Sequence, residues 1–296
     1  MYDVNLFRTG LVMDIKVSII ISTYNSEEWL KMVLWGFHYQ TYKNFEVIVA
    51  DDGSGLPTEL LIDWMDSEVF YPLIHVWQED EGFQKTKILN KAILSSRSDY
   101  IIFTDGDCIP RNDFVETHIK NKLKGHFMSG GYSKLPLMIS NLITKEDIEK
   151  QNCFSIDWLN SHNLNKKYKN KKLAAIPSQV NFLNKVTTTQ ASWNGHNSSG
   201  WKEDILAVNG FDERMQYGGE DRELGERLIN YGIKSKQLRY SAICVHLEHE
   251  RSYKNEASLL KNKQIRKQVK NTNAIWTSFG IEQEQNYLQP KLLSSM

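Results

Sequence analysis

Short apolar runs recur along the first hundred residues, each followed by a polar cluster. "KVSIIIS" (Lys16–Ser22), "FEVIVA" (Phe45–Ala50), a stretch near Leu73–Trp77 and "YIIFT" (Tyr100–Thr104) are rich in β-branched and aromatic residues. Runs this short, without a 3.6-residue period, predict buried strands. Between them lie segments of helical character. Ser26-Glu27-Glu28 supplies a cap and two acids for a first turn, and further helices are predicted from about Pro57 to Ser67 and from about Lys85 to Ser95. Strands alternating with helices predict βαβ units, hence an α/β fold with a mixed, mostly parallel central sheet flanked by helices. The strands end in "STYN", "DDGSG", "QEDEGF" and "DGD". Ligands of open parallel sheets bind beyond the carboxyl ends of the strands, so four polar loops converge on one rim.

The pattern becomes irregular from Gly130 to Thr189, where the lysine cluster "NKKYKNKK" (Asn165–Lys172) reads as a solvated loop or insertion. Order returns with "WKEDILAVNGFDE" and "YGGEDRELGERLINYG" (Tyr217–Gly232). In the second of these, Leu224, Leu228 and Tyr231 recur at helical spacing and Gly232 closes the helix. A strand around Ser241–Val245 and a basic helix from about Asn255 to Val269 complete the series. The chain divides into an N-terminal extension (1–14), a first half of strands and helices (15–130), an insertion or connecting region (131–190), a second ordered half (191–254) and a helical tail (255–296).

Composition narrows the field. With 36 basic and 36 acidic residues among 296, the chain has no net charge and is not a general nucleic-acid binder. Cys108, Cys153 and Cys244 are odd in number and lack paired metal-site spacing, which points to a reducing cytoplasm. No apolar run approaches the roughly 20 residues that span a bilayer. "MDIKVSIIISTYN" reads as a complete beginning, so Met13 is the expected natural start.

The polar loops carry the chemistry. Asp105 and Asp107 flank Gly106, which lets the backbone turn so that both carboxylates approach one point. Two such charges at a strand end are costly unless compensated, and a hard divalent cation suits them. His246 and His249 of "CVHLEHE" also lie just past a predicted strand. Imidazole beside carboxylate suits Mn2+ better than Ca2+, although a strand-end histidine is more often an ordinary surface residue. In "GGEDREL", Glu220 and Asp221 occupy a first helical turn, where the dipole favours carboxylates even without a function. The same environment keeps a carboxylate ionised, as a general base must be. Adjacent helical residues point about 100° apart, so one acid can hold a hydroxylated substrate while the other accepts its proton.

Together, "VSIIISTYN", "FEVIVADDGS", "GFQKTKILNKAI" and "IIFTDGDCIP" resemble the family two glycosyltransferases of GT-A fold. "GHNSSGWKEDILAVNGFDE", "YGGEDRELGERLINYG" and "HLEHE" resemble the galactosyltransferase-type C-terminal module. The resemblance implies a metal-dependent inverting enzyme that moves a hexose or N-acetylhexosamine from a UDP-sugar to a saccharide or lipid-linked saccharide, in bacterial surface polysaccharide or lipopolysaccharide synthesis. It implies Mn2+ as the metal, with Mg2+ as a substitute. By the same resemblance Thr23, Tyr24 and Asp52 hold the uridine, and Gln84 to Lys87 line the nucleotide side. Asp105 sits near the ribose or a metal-bound water, and Asp107 binds the metal together with His246 or His249. Asp221 is the base and Glu220 the acceptor contact. Trp193, Asn194, Gly195 and Asn197 line the sugar pocket, and Tyr217 stands nearest to where relatives carry a tryptophan.

Two other readings compete. A noncatalytic carbohydrate-binding or scaffold subunit would be favoured by degenerate "DGD" or "GGED", and both are intact. A dinucleotide dehydrogenase would want G-x-G-x-x-G after the first strand, which is missing. In the tail, Lys263, Arg266, Lys267 and Lys270 cluster on a helical face with Leu260 and Ile265 nearby. That face could rest peripherally on the anionic inner surface of a membrane, or be a plain solvated helix.

Overall fold

The computed structural model describes residues 14–162, 172–249 and 255–282. The expected start at Met13 and most of the lysine cluster lie outside them. Eight strands form one sheet: β1 (Ser18–Thr23), β2 (Glu46–Asp51), β3 (Leu73–Trp77), β4 (Tyr100–Asp105), β5 (Cys108–Pro110), β6 (His126–Lys134), β7 (Ser198–Trp201) and β8 (Lys234–His246). Their order is β3-β2-β1-β4-β7-β6-β8-β5. The first four are parallel. β7 runs antiparallel to β4 and β6, β6 and β8 are parallel, and the short β5 pairs antiparallel with β8.

Three consecutive isoleucines show why β1 reads as an unbroken apolar run. Ile19 and Ile21 join the core on one face with Leu30 and Leu34 of the helix Glu27–His38. Ile20 points the other way, to Leu89 and Ile93 of the helix Lys85–Ser95. A strand covered by helices on both faces is apolar at every position, because successive side chains alternate between the faces. Each buried isoleucine contributes about 1.5–3 kcal/mol, so this run fixes where β1 ends and the rim begins.

The later half differs more from expectation. β6 runs through "HFMSGGYSK", a polar stretch expected to be irregular from Gly130 onward, and β8 begins at Lys234, well before Ser241. The two hold each other in register from His126↔Lys234 to Lys134↔His246, with a bulge between Gly130 and Gly131. A Cβ on Gly130 would collide with the Asn197 amide, and one on Gly131 with the Arg239 carbonyl, so these glycines let neighbours press against the strand. Among the described residues that follow are the short helices Leu137–Ser140, Lys145–Glu149 and Ile156–Ser161 and the longer Pro177–Val186.

The helix Glu220–Asn230 buries Leu224 and Leu228 as expected, but Tyr231 lies past its end and is 46% exposed. Gly232 follows with φ +103° and closes the helix. The tail helix, Glu256–Thr272, packs Ser258, Asn262, Ile265 and Val269 inward. Arg266 and Lys270 turn to Glu226 at 2.5 and 3.2 Å, leaving Lys263 and Lys267 outward with Leu260. The basic face is therefore half the size that the sequence indicated. No helix among the described residues is long and apolar enough to cross a membrane.

Candidate active site

The rim of β1 and β4 brings the first carboxylate into place. Asp105, the last residue of β4, accepts hydrogen bonds from Ser22 Oγ at 2.8 Å and Lys85 Nζ at 2.6 Å. Burial alone would raise the Asp105 carboxyl, but the charge and hydrogen bond of Lys85, with the Ser22 hydroxyl, hold it well below the usual range. Gly106 lies so close to β1 that a Cβ would stand 3.0 Å from the Ser22 carbonyl.

Asp107 meets the histidines through strand pairing. Cys108 of β5 lies opposite His246 of β8, and Leu247 N–H donates to the Asp107 carbonyl at 2.8 Å. His249 Nε2 is 2.8 Å and His246 Nε2 3.4 Å from Asp107 Oδ2, so the structure brings both candidates to one carboxylate. The Cys108 sulfur lies within 4.8 Å of the ligand atoms of Asp107 and His246. Burial pushes this thiol well above its ordinary pKa, and it donates to Asp107 at 3.2 Å; a soft sulfur suits a hard cation less well than the oxygen and nitrogen donors beside it. One carboxylate and two imidazoles fit a Mn2+-like ion, which takes oxygen and nitrogen donors.

A second pair of carboxylates arrives from the start of the helix Glu220–Asn230. Gly218 and Gly219, at φ +111° and +92°, take left-handed conformations that other residues rarely adopt, and they bend the chain into that helix. Asp221 Oδ2 accepts from Gly195 N–H at 3.0 Å, and Glu220 accepts from Gly218 N–H at 2.8 Å. Burial, then the neighbouring Asp221, pushes Glu220 up to about 7. Lys85 joins the two ends of the site: burial opposes its charge, but Asp105, Glu220 and Asp221 around it raise its pKa and keep it an ammonium. Gly195 lies at the junction, where a Cβ would stand 3.5 Å from Lys85 Nζ, 3.8 Å from Asp105 Oδ1 and 3.9 Å from Asp221 Cβ.

Beside Asp105, the ends of β1 and β2 frame a further recess. Asp52 N–H bonds the Thr23 carbonyl at 3.0 Å. The Asp52 carboxylate accepts from Gln78 Nε2 at 2.7 Å and Gln84 N–H at 2.9 Å, and burial raises it to about 6. Tyr24, half exposed, donates to Asp80 at 2.9 Å.

Some expected residues fall elsewhere. Lys87 pairs with Glu81 at 3.2 Å on the outside of the loop, and it is Lys85, two residues earlier, that enters the site. Trp193 is fully buried in the core, its ring 5.5 Å from Phe103 and Phe127, and so cannot line a pocket. Asn197 is also fully buried; it bonds His118 Nε2 at 2.9 Å and the carbonyls of Gly131 and Ala242 at 2.8 and 3.0 Å, bracing the backbone. Asn194 bonds Ser129 Oγ at 3.2 Å, and Tyr217 packs edge-on against Phe83 with centroids 6.0 Å apart. His196, which no motif of the sequence singles out, also borders the site: its ring packs edge-on against Tyr132 at 4.5 Å, and burial pushes it down to about 4 against the pull of Asp105. A lysine at a helix N-terminus opposes the dipole, the one sequence signal that could have singled out Lys85.

This sheet, with carboxylates at the strand ends, has the GT-A fold of nucleotide-sugar transferases. The model of glycosyl transferase family 2 matches residues 18–131, and a model described as the N-terminal domain of galactosyltransferase matches residues 184–250. It is 27% identical to the uncharacterized glycosyltransferase YfnE of Bacillus subtilis over 83% of this chain and 68% of that protein. It is 24% identical to a chondroitin synthase of Escherichia coli, over 81% of this chain but only 36% of the relative. A structure of S. aureus TarS with UDP superposes with TM-score 0.55 at 14% identity, covering 85% of this chain and 64% of that one. The mannosyltransferase PcManGT of Pyrobaculum calidifontis, with GDP-Man and Mn2+, gives 0.53 at 17% identity over 80% and 58%.

Proposed function

We propose that the protein is a metal-dependent inverting glycosyltransferase that moves a hexose or N-acetylhexosamine from a UDP-sugar to a hydroxyl of a saccharide or lipid-linked saccharide, in assembly of a bacterial surface polysaccharide or lipopolysaccharide. The observation that carries this is the meeting of Asp221, Lys85 and Asp105 around Gly195, two residues from the Asp107–His246–His249 group. The complexes of structural neighbours with UDP and with GDP-Man and Mn2+ lend support.

Asp221 removes the proton from the acceptor hydroxyl as that oxygen attacks the anomeric carbon. The bond from this carbon to the diphosphate oxygen breaks on the opposite face, UDP departs with the electron pair, and configuration inverts. Asp107, His246 and His249 would hold Mn2+, which supplies positive charge to the departing diphosphate. Lys85 adds fixed positive charge on the acceptor side of Asp105, and Glu220 orients the acceptor through hydroxyl hydrogen bonds. Thr23, Tyr24 and Asp52 receive the uridine, with Gln84 closing that side. We place the reaction in the cytoplasm, where Cys108, Cys153 and Cys244 persist as free thiols, with Leu260, Lys263 and Lys267 as the surface for peripheral contact with an anionic membrane.

The test is a hydrolysis and transfer screen of UDP-hexoses and UDP-N-acetylhexosamines with Mn2+, with Mg2+ and with chelator. Turnover of at least one donor, lost with chelator and restored by Mn2+, is the expected result. No turnover of any donor by folded protein would overturn the assignment.

A further inference from the structure

The bend that delivers Glu220 and Asp221 to the site is held from outside. Two consecutive residues with positive φ, Gly218 and Gly219, leave it little stiffness of its own. From the helix Lys85–Ser95, Thr86 Oγ1 donates to the Met215 carbonyl at 3.2 Å. On the opposite side stands Asn262 of the tail helix. Its side chain is fully buried, and its Nδ2 lies 2.7 Å from the Gln216 carbonyl, 3.3 Å from that of Tyr217 and 3.2 Å from that of Gly218.

One amide nitrogen with two protons thus spans the three successive peptide oxygens of Gln216, Tyr217 and Gly218, one residue short of the helix that begins at Glu220, fixing their spacing. The same helix reinforces the grip: Ser258 bonds the Gln216 side chain, Leu259 fills the space above Gly218, and Arg266 lies over Gly219 while pairing with Glu226 at 2.5 Å. Asn262 Oδ1 is buried without a hydrogen-bond partner among the described residues. An apolar side chain there would take this donor away from the three carbonyls, so the amide serves the bend and not only the packing of the helix.

We propose that Asn262 is a positioning residue, through which the helix Glu256–Thr272 holds the Gln216–Gly219 bend so that Asp221 meets the acceptor hydroxyl at reacting distance. It touches no substrate and acts through the backbone that carries the two acids. A small displacement of a general base is enough to slow proton transfer by an order of magnitude or more. The inference rests on the proposed roles of Asp221 and Glu220.

The experiment compares Asn262→Leu, Ser258→Ala and Asp221→Asn with the parent, using the donor found active with Mn2+. Asn262→Leu is expected to lower kcat at least tenfold, with donor Kd unchanged within twofold and the acidic limb of the pH–rate profile displaced. A role in folding alone would not produce that split. Ser258→Ala, the gentler change, is expected to lower kcat twofold to fivefold at constant donor Kd, and keeps the inference testable if Asn262→Leu does not fold. If Asp221→Asn loses turnover while folded Asn262→Leu, or failing that Ser258→Ala, keeps parental kcat, the positioning role is overturned. If Asp221→Asn itself turns over normally, the base assignment fails, and the positioning role with it.

Discussion

Lys85 Nζ lies 2.6 Å from Asp105 Oδ1, and the same ammonium faces Glu220 and Asp221 from the other side. One cation therefore offsets carboxylates that come from both halves of the chain. Replacing it by methionine keeps the length but leaves Asp105 with a single neutral partner, Ser22, in a largely buried place. Removing one partner of a buried ion pair costs about 3–5 kcal/mol, and the partial exposure here puts the loss at the lower end. Lys85→Met should lower the melting temperature and reduce kcat/KM at least a hundredfold, whereas Lys85→Arg should retain more of both. Melting curves and steady-state kinetics on the two variants check this.

Asp107 receives both histidine Nε2 atoms, so metal affinity should depend on all three side chains. Asp107→Ala should abolish Mn2+-stimulated nucleotide binding, and His246→Ala and His249→Ala should each weaken Mn2+ affinity by at least the roughly tenfold that loss of a mere supporting partner of a ligand costs. Titration of Mn2+ followed by electron paramagnetic resonance reads affinity without turnover. A histidine whose loss leaves that affinity intact is not a ligand.

What the sequence made legible follows from how each residue is packed. β1, β2 and β4 are buried on both faces, so their apolar runs stand out, and the acids that follow them are conspicuous for the same reason. β6 is different: "HFMSGGYSK" becomes a strand because β8 and β7 supply its hydrogen bonds, which no local pattern records. Trp193 and Asn197 share a motif with Gly195, but their side chains turn into the core and only the glycine borders the site. Lys85 resembles any surface lysine until folding sets Asp105 and Glu220 against it. Single residues at strand ends were readable; which of them meet depends on pairings between distant parts of the chain.

Glu220, raised to about 7 by burial and then by Asp221 beside it, changes charge near neutrality. Its folded pKa exceeds its ordinary value, so the protonated form is favoured on folding, and the associated stability is lost as pH rises through about 7. Catalysis runs the other way: acceptor binding by the Glu220 carboxylate should fail as pH falls through the same range. The parent should show an acidic limb near 7 in kcat/KM for the acceptor. Glu220→Gln should remove that limb, raise acceptor KM, and melt higher relative to the parent above pH 7 than below it. Asp221→Asn should lower kcat by about 10²–10⁴, the usual worth of a general base, with donor affinity unchanged.

Asp52 yields a prediction about the donor that neither the metal nor the phosphates can confound. Its carboxylate already accepts from Gln78 and Gln84, and burial still raises it to about 6, so below that pH the neutral acid takes over. A carboxylate accepts the uracil imide proton better than an acid does. Uridine affinity should therefore fall as pH drops through about 6, and Asp52→Asn should both weaken binding and flatten its pH dependence. The stability term has the same sign as that of Glu220: it is present at low pH and lost as pH rises through about 6. Uridine is the right probe because it carries no phosphate to titrate and needs no Mn2+, whereas UDP would add the ionisation of its terminal phosphate. Binding followed by ligand-observed magnetic resonance from pH 5 to 8 checks this, and a parent whose affinity does not change across that range would remove Asp52 from recognition of the base.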